Sequence, residues 1–243
     1  MPVPAISAHR GGRERAPAGT WAAFTTALES RPEYVEFDVR RTADGAWVVR
    51  HDEHVAGRAV GSLTYAELSR LAGHEVPLAM EVMELIAGRA YGHIDLKEDD
   101  DELAVAGPAV DLLGVDGFVA TTENPASIRR IRSALPGVRT ALSTAHPVRG
   151  ARARAGRRAR NRPLDLREVI GCGASGVALH HRAATPEVLR RCRRGGVEVM
   201  VWTVNAPRRV AHFLAEPRVD VLITDRPFYA SRLRERLGSG PGA

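Results

Sequence analysis

Residues 34–54 read YVEFDVRRTADGAWVVRHDEH, and this stretch decides the fold. Its first part, YVEFD, is rich in the aromatic and β-branched residues that favour a buried strand. The dipeptide Asp44-Gly45 is a strong turn signal between two extended pieces. We therefore predict a strand followed by a β-hairpin that leaves the main sheet and folds back, returning His51 and Asp52 to the end of that strand.

Similar apolar runs recur on both sides of this stretch. Eight runs predict strands, at 5–9, 34–38, 92–97, 117–121, 138–142, 176–180, 198–204 and 221–225. Helix-like segments lie between most of them, and three of these have candidate N-caps: Thr20, either Ser62 or Thr64, and Thr185. The alternation predicts a parallel sheet, and eight such units in 243 residues favour a (β/α)₈ TIM barrel of class α/β. A doubly wound open sheet is the alternative, but no G-x-G-x-x-G motif follows a strand.

The composition is that of an ordinary globular domain, with 44% hydrophobic and 26% charged residues. We expect one barrel domain over 1–237 and a disordered tail, GSGPGA, over 238–243. The two cysteines form no C-x-x-C pair, which excludes a zinc ribbon or a disulfide framework. The sequence shows neither a transmembrane run nor a signal peptide, so we expect a cytoplasmic protein.

The net charge of +6 is unevenly distributed. Residues 149–162, RGARARAGRRARNR, hold seven arginines and no acid, so the remainder carries −1. Lys97 is the only lysine among 35 basic residues. Because lysine is a compact point charge on a flexible stem, its single use indicates a position where arginine does not serve.

Chemically active side chains cluster where the first three predicted strands end: His9 and Arg10, Glu36 and Asp38, and Asp95 and Lys97. Residues two apart share one face of a strand, and barrel enzymes place their functional groups at the carboxyl ends of strands. Three carboxylates and one ammonium group are thus expected to converge. Carboxylates so close repel one another unless a cation joins them, and oxygen ligands alone suit Mg²⁺ or Ca²⁺.

Simpler interpretations exist for these residues. Glu36 and Asp38 could belong to a solvated strand face, and Lys97 could form only a salt bridge to Asp95 or Glu98. A solvated face is hard to reconcile with parallel strands, which are buried on both sides. Charges on such strands need partners or a metal ion.

The motifs of the chain, taken together, resemble the glycerophosphodiester phosphodiesterase family over nearly its whole length. They are AHRG (8–11), P-x-x-T (17–20) with AF (23–24), EFDVRRTADGAWVVRHD (36–52), IDLK (94–97), VWTVN (201–205) and VLITDRP (221–227). The resemblance implies a (β/α)₈ barrel, a divalent cation and hydrolysis of a phosphodiester by two histidines. By position it assigns these roles: catalysis to His9 and His51, metal binding to Glu36, Asp38 and Asp95, and phosphate binding to Arg10 and Lys97.

The implied chemistry agrees with the residue types. A phosphodiester anion becomes a better electrophile when a metal ion, an arginine and a lysine neutralise its charge. Histidine titrates near neutral pH, so one imidazole can take a proton from the nucleophile and another can give one to the leaving alcohol. The attacking group is either water or a neighbouring hydroxyl of the substrate, which would give a cyclic phosphate.

Departures from the family pattern concern substrate choice. Pro17-Ala18-Gly19-Thr20 stands where the family has Pro-Glu-Asn-Thr, and Glu14 is one substitute for the absent acid. Asp95 stands where Glu is common, which is more similar to sphingomyelinase D type lipases. The predicted substrate is therefore a small glycerophosphodiester, giving sn-glycerol 3-phosphate and an alcohol, with a lysophospholipid as the alternative.

Two further features follow from the predicted barrel. Trp202 is interpreted as a wall of the substrate pocket, the alternative being packing between barrel and helices. His180 and His181 end the sixth strand, where we expect a surface pair, the alternative being contact with substrate.

The arginine-rich segment Arg149–Arg162 is predicted to be a solvated loop, with a weak contact to an anionic membrane as the alternative. It lacks the interleaved aromatic residues of single-stranded nucleic-acid binders, so no specific nucleic acid is expected. A non-catalytic barrel that uses this loop to bind anionic lipid or nucleic acid is the competing hypothesis. The presence of both histidines and all three acids argues against it.

Overall fold

Eight parallel strands close into a barrel in the computed structural model, which describes residues 3–144 and 164–238. With all strands numbered in chain order, the barrel strands are β1 (Ala5–Ala8), β2 (Tyr34–Arg41), β6 (Tyr91–Leu96), β7 (Phe118–Thr122), β8 (Arg139–Ser143), β9 (Gly176–His180), β10 (Glu198–Trp202) and β11 (Val221–Thr224). The order around the barrel is β1-β11-β10-β9-β8-β7-β6-β2, and β2 pairs with β1 to close it. All eight predicted strands and the (β/α)₈ architecture are thereby confirmed.

Helices surround the barrel and follow most of its strands. Their bounds are α1 (Trp21–Ala27), α2 (Tyr65–Ala72), α3 (Ala79–Ile86), α4 (Glu102–Leu113), α5 (Pro125–Ala134), α6 (Leu166–Gly171), α7 (Pro186–Arg194), α8 (Pro207–Leu214) and α9 (Pro227–Gly238). The predicted caps are present: the side chains of Thr20, Thr64 and Thr185 each accept a hydrogen bond from a backbone N–H of the first helical turn.

Side chains alternate between the two faces of each barrel strand. On β2, Val35, Phe37 and Val39 point outward and pack against the helices in an apolar layer. Tyr34 points inward, where a smaller cluster that includes Met200 fills the barrel. Because Glu36 and Asp38 share the parity of Tyr34, the same alternation directs both carboxylates into the barrel.

The second half of β2 extends beyond the barrel and forms the predicted hairpin. Residues 39–41 pair antiparallel with β3 (Trp47–Val49). Gly45 adopts a φ of 86°, the left-handed conformation that the Asp44-Gly45 turn requires. The returning chain is tied to the barrel because Arg50 N donates a 2.9 Å hydrogen bond to the carbonyl oxygen of Asp38. A short ladder of β4 (His54–Val55) and β5 (Arg58–Ala59), which sequence patterns did not predict, follows.

The predicted arginine-rich loop, Arg149–Arg162, lies outside the described residues, as does the predicted tail apart from Gly238, the last residue of α9. Among the helices that the structure describes, none is long and apolar enough to cross a membrane.

Candidate active site

An open cavity at the carboxyl end of the barrel strands contains the predicted site. All eight predicted site residues line it: His9, Arg10, Glu36, Asp38, His51, Asp95, Lys97 and Trp202. They come from β1, β2, β6, β10 and the returning hairpin, so closure of the barrel brings together side chains that are nearly 200 residues apart. This is the end of the fold at which barrel enzymes place their chemistry.

His9 follows β1 directly and is oriented by an acid from the last strand. Its Nδ1 lies 2.6 Å from Oδ1 of Asp225, and Asn205 donates a 2.6 Å hydrogen bond to the other oxygen of that carboxylate. The carboxylate therefore receives the Nδ1 proton of His9, which leaves Nε2 for the cavity. Burial lowers the pKa of His9, but the neighbouring Glu36 and the contact with Asp225 outweigh it and raise the pKa above its usual value.

The chain turns sharply after His9, and this turn places a backbone donor on the site. Arg10 has a φ of 51°, and Gly11 and Gly12 have φ values of 76° and 86°. A Cβ on Gly11 would come within 2.8 Å of the backbone of α1, so only glycine fits there. In this conformation, Arg10 N donates a 2.7 Å hydrogen bond to Oε2 of Glu36.

Glu36, Asp38 and Asp95 form one compact group of carboxylates. Each offers an oxygen within 4.8 Å of those of the other two. Glu36 is 3% exposed, and burial together with repulsion from Asp38 raises its pKa to about 7. Oδ2 of Asp38 is buried and accepts no hydrogen bond from any described residue. Three carboxylates so close together repel one another, and as a donor set of oxygens they fit a hard divalent cation.

The two cationic side chains of the site border this group. Lys97 Nζ lies 2.9 Å from Oδ1 of Asp38 and also contacts Asp95, and Arg10 Nε lies 3.0 Å from Oδ2 of Asp38. Burial alone would raise the pKa of Asp38, but Lys97 and Arg10 lower it to about 2. The simpler interpretation of Lys97, a salt bridge to Asp95, is therefore present beside its contact with Asp38, whereas Glu98, the other candidate partner, pairs with Arg40.

His51 reaches the cavity from the returning hairpin. Its Nδ1 lies 2.8 Å from Oδ1 of Asp52, the next residue, and its side chain is 45% exposed. The buried guanidinium of Arg40 donates a 3.0 Å hydrogen bond to the backbone oxygen of His51 and so fixes the chain at this point. His51 is thus the more solvent-accessible of the two predicted catalytic histidines.

Trp202 ends β10 inside the barrel. Its side chain lines the cavity and packs on the interior apolar cluster, so the alternative placement between barrel and helices is wrong. The ring of His180 packs edge-on against Trp202 with 5.2 Å between centroids. His180 is only 6% exposed, so the expected surface pair is also wrong: β9 turns His180 toward the tryptophan.

Sequence patterns missed several residues that the structure brings to the site. Asp225 contacts His9, and Asn205 contacts Asp225 in turn. His93 and Thr121 line the cavity, and Thr121 also contacts Asp95. The sequence held a signal for Asp225, because this acid ends the predicted strand 221–225 at the catalytic end of the barrel. Glu14, the suggested substitute acid, instead accepts hydrogen bonds from Phe228 N and Tyr229 N at the start of α9. It does not line the cavity.

Comparisons with known proteins agree with this geometry. The sequence profile described as "Glycerophosphoryl diester phosphodiesterase family" matches residues 9–113 and 109–228. A glycerophosphodiester phosphodiesterase of Caldanaerobacter subterraneus is 25% identical over 257 residues, which cover 91% of this chain and 94% of that protein.

Two solved structures share the fold. A glycerophosphodiester phosphodiesterase from Thermotoga maritima is 21% identical, with a TM-score of 0.75 over 96% of this chain and 100% of that one. A phosphodiesterase from Oleispira antarctica, solved with the product sn-glycerol-3-phosphate, is 17% identical, with a TM-score of 0.76 over 96% and 98% of the two chains. At these identities the structures support the barrel, while the profile match carries the assignment. The chain therefore belongs to the glycerophosphoryl diester phosphodiesterase family, a family of phosphoric diester hydrolases.

Proposed function

We propose that the protein hydrolyses a glycerophosphodiester to sn-glycerol 3-phosphate and an alcohol, with a divalent cation and the histidine pair His9 and His51. One observation carries the proposal: two histidines, three carboxylates and two cationic side chains, collected from separate strands, line a single cavity. Family membership and the names of the relatives support the substrate class, and they favour it over the lysophospholipid alternative and the non-catalytic barrel.

Glu36, Asp38 and Asp95 would hold the cation, which is Mg²⁺ or Ca²⁺ by the preference of both ions for oxygen ligands. The close approach of the three carboxylates and the raised pKa of Glu36 support this role. A bound cation would supply charge neutralisation for the phosphodiester.

Arg10 and Lys97 are the proposed phosphate ligands. Both border the carboxylate group and line the cavity, so an anion bound beside the carboxylates would meet their donors. Positive groups at this position stabilise the negative charge that gathers on the phosphoryl oxygens as the nucleophile attacks.

The two histidines would carry the protons. Water attacks phosphorus, a new P–O bond forms, and the bond from phosphorus to the alcohol oxygen breaks. One imidazole accepts the proton of the water, and the other protonates the departing alkoxide. The positive charge on the attacking water and the negative charge on the leaving oxygen are thereby both neutralised. Asp225 would keep His9 in the tautomer that presents Nε2 to the substrate, and Asp52 would orient His51.

Substrate size and head group would depend on the side chains that form the walls of the cavity. Trp202 supplies a flat apolar wall there, which suits the carbon face of a glycerol or the methyl groups of a choline. The Oleispira antarctica relative was solved with sn-glycerol-3-phosphate, which supports the same product for this chain.

A diester panel tests the proposal. The purified protein is incubated with glycerophosphocholine, glycerophosphoethanolamine and lysophosphatidylcholine, each with Mg²⁺, with Ca²⁺ and with EDTA, and phosphate-containing products are identified. We expect sn-glycerol 3-phosphate from the first two substrates and none with EDTA. Replacement of His9 by Ala should lower kcat about 10²–10⁴-fold, the usual contribution of a positioned acid or base.

The matched control is His74→Ala, since His74 is an exposed histidine that does not line the cavity. Full activity in EDTA or in the His9→Ala variant would contradict the proposed mechanism. A lysophosphatidic or cyclic phosphate product would replace the proposed substrate class by the lipase-like one.

A weak contact of Arg149–Arg162 with an anionic membrane remains a separate proposal, supported by the seven arginines of this segment. Sedimentation with vesicles containing phosphatidylserine at low and high salt tests it. Binding that is lost at high salt would support the contact, and equal recovery with neutral vesicles would contradict it.

A further inference from the structure

A buried chain of hydrogen bonds ends on one of the proposed cation ligands. Ser7 Oγ lies 3.1 Å from Nδ1 of His93, Nε2 of His93 lies 3.3 Å from Oγ1 of Thr121, and Thr121 Oγ1 donates a 3.0 Å hydrogen bond to Oδ1 of Asp95. Ser7, His93 and Thr121 are 0%, 3% and 1% exposed. The chain crosses the barrel interior from β1 to β6 and β7, so it ties three strands to one carboxylate.

The chemistry of the groups determines the direction of every bond in this chain. An ionised carboxylate only accepts, so the single hydroxyl proton of Thr121 is committed to Asp95. Thr121 Oγ1 must then accept from His93, which requires the proton on Nε2. In the neutral ring Nδ1 is therefore the acceptor, and Ser7 donates to it. One tautomer of His93 satisfies all four residues.

Asp95 is thereby held at both oxygens. Oδ1 accepts from Thr121, while Oδ2 contacts the ammonium group of Lys97. The hydrogen-bond path from His93 to the carboxylate runs through Thr121, because no hydrogen bond joins His93 directly to Asp95 in the part of the chain that the structure describes. Partners of this kind orient a metal ligand and raise its effective affinity for the ion.

We propose that His93 is a positioning residue which, through Thr121, holds Oδ1 of Asp95 in place as a cation ligand. The proposal rests on the proposed function, since it assigns Asp95 to the cation. It adds His93 and Thr121 to the residues on which the site depends, and neither belongs to the motifs that the chain shares with the family. It also accounts for a buried histidine that the proton transfers do not use.

The first test measures cation binding without any substrate. Mg²⁺ and Ca²⁺ are titrated calorimetrically into the metal-stripped full-length protein. Thr121→Val removes the hydroxyl at nearly constant volume, and we expect it to weaken cation binding about ten-fold, the lower end of the effect of such partners. Thr121→Ser keeps the hydroxyl, so its affinity should return to that of the unchanged protein.

A matched control lies on the neighbouring strand. Thr140 on β8 is 0% exposed, and its hydroxyl has no hydrogen-bond partner among the described residues. Thr140→Val therefore removes a buried threonine hydroxyl that does not belong to the chain of bonds, and it should leave cation affinity unchanged. Thermal unfolding of all three variants reports whether any loss comes from misfolding.

The second test observes the ring itself. The ¹⁵N chemical shifts of His93 identify which ring nitrogen carries the proton, and we expect Nε2. A proton on Nδ1 would leave Thr121 without a donor partner and would overturn the proposal. Equal cation affinity of Thr121→Val and the unchanged protein would overturn it as well. If the unchanged protein binds neither cation, the proposed function fails together with this inference, whereas binding that is insensitive to Thr121 contradicts this inference alone.

Discussion

Two buried glutamates show how the same side chain serves opposite purposes in this barrel. Glu36 on β2 and Glu102 at the start of α4 are 3% and 2% exposed. Burial alone would raise the pKa of both carboxyl groups. Yet the pKa of Glu36 is raised to about 7, and that of Glu102 is lowered to about 2.

The difference comes from their partners. Arg130 donates two hydrogen bonds to Glu102, at 3.0 and 2.6 Å, and Asp100 N donates a third at 3.1 Å. Glu36 accepts one bond, from Arg10 N, and faces the carboxylate of Asp38. Glu102 is fully paired, whereas Glu36 forms no ion pair with any residue that the structure describes. An unpaired buried acid costs stability, and a bound cation is the partner that would relieve this cost.

The largest expected effect is on catalysis. Glu36→Gln removes a proposed cation ligand, and we expect kcat/KM for glycerophosphocholine to fall about 10²–10⁴-fold in Mg²⁺, because charge stabilisation at phosphorus is lost. Steady-state kinetics measures this. Glu102→Gln is the matched control, a buried glutamate outside the cavity, and should keep near-normal kinetics. Equal losses of kcat/KM in both variants would contradict a catalytic role that Glu36 has and Glu102 lacks.

A smaller effect is expected on stability at Glu102. Glu102→Gln should lower the free energy of unfolding by about 2 kcal/mol at pH 7, because a buried, charge-assisted hydrogen-bond network is broken. The folded pKa lies below the usual value of an unfolded glutamate, so this stabilisation is complete above about pH 4.5 and is lost as the pH falls toward 2. Urea unfolding at pH 7 and pH 3.5 should therefore show a smaller difference between the two proteins at the lower pH. A difference in unfolding free energy that stays the same at both pH values would contradict the ion pair of Glu102 with Arg130.

The smallest effect, and one of opposite sign, is expected on stability at Glu36. In EDTA at pH 8, Glu36→Gln should raise the free energy of unfolding by about 1 kcal/mol, because it removes an unpaired buried charge. The folded pKa of about 7 exceeds the unfolded value, so the cost of the charge is absent below about pH 4.5 and complete only above pH 7. The gain should consequently vanish at pH 4.5. Added Mg²⁺ should stabilise the unchanged protein more than the variant. Thermal unfolding with EDTA and with Mg²⁺ measures both effects. If Glu36→Gln were less stable than the unchanged protein in EDTA at pH 8, Glu36 would not be an unpaired buried acid.

Much of the site could be predicted because its key relations are local. Glu36 and Asp38 reach the same face by the two-residue repeat of a strand, and the hairpin turn at Asp44-Gly45 returns His51 to that strand. Caps such as Thr64 depend on residues three positions away. Glu14 could not be placed in this way, because its partners on α9 lie more than 200 residues along the chain.

The sequence alone determined the eight strands, the inward direction of the carboxylates and the family, since these depend on short-range periodicity and on motifs in order. Tertiary structure decided which distant groups meet: Asp225 with His9 across 216 positions, and His93 with Thr121 and Ser7 inside the barrel. It also determined that the pKa of Glu36 is raised while that of Glu102 is lowered. The free energy of a buried charge depends on the distance and direction of its partners, and barrel closure sets those across strands that are far apart in sequence.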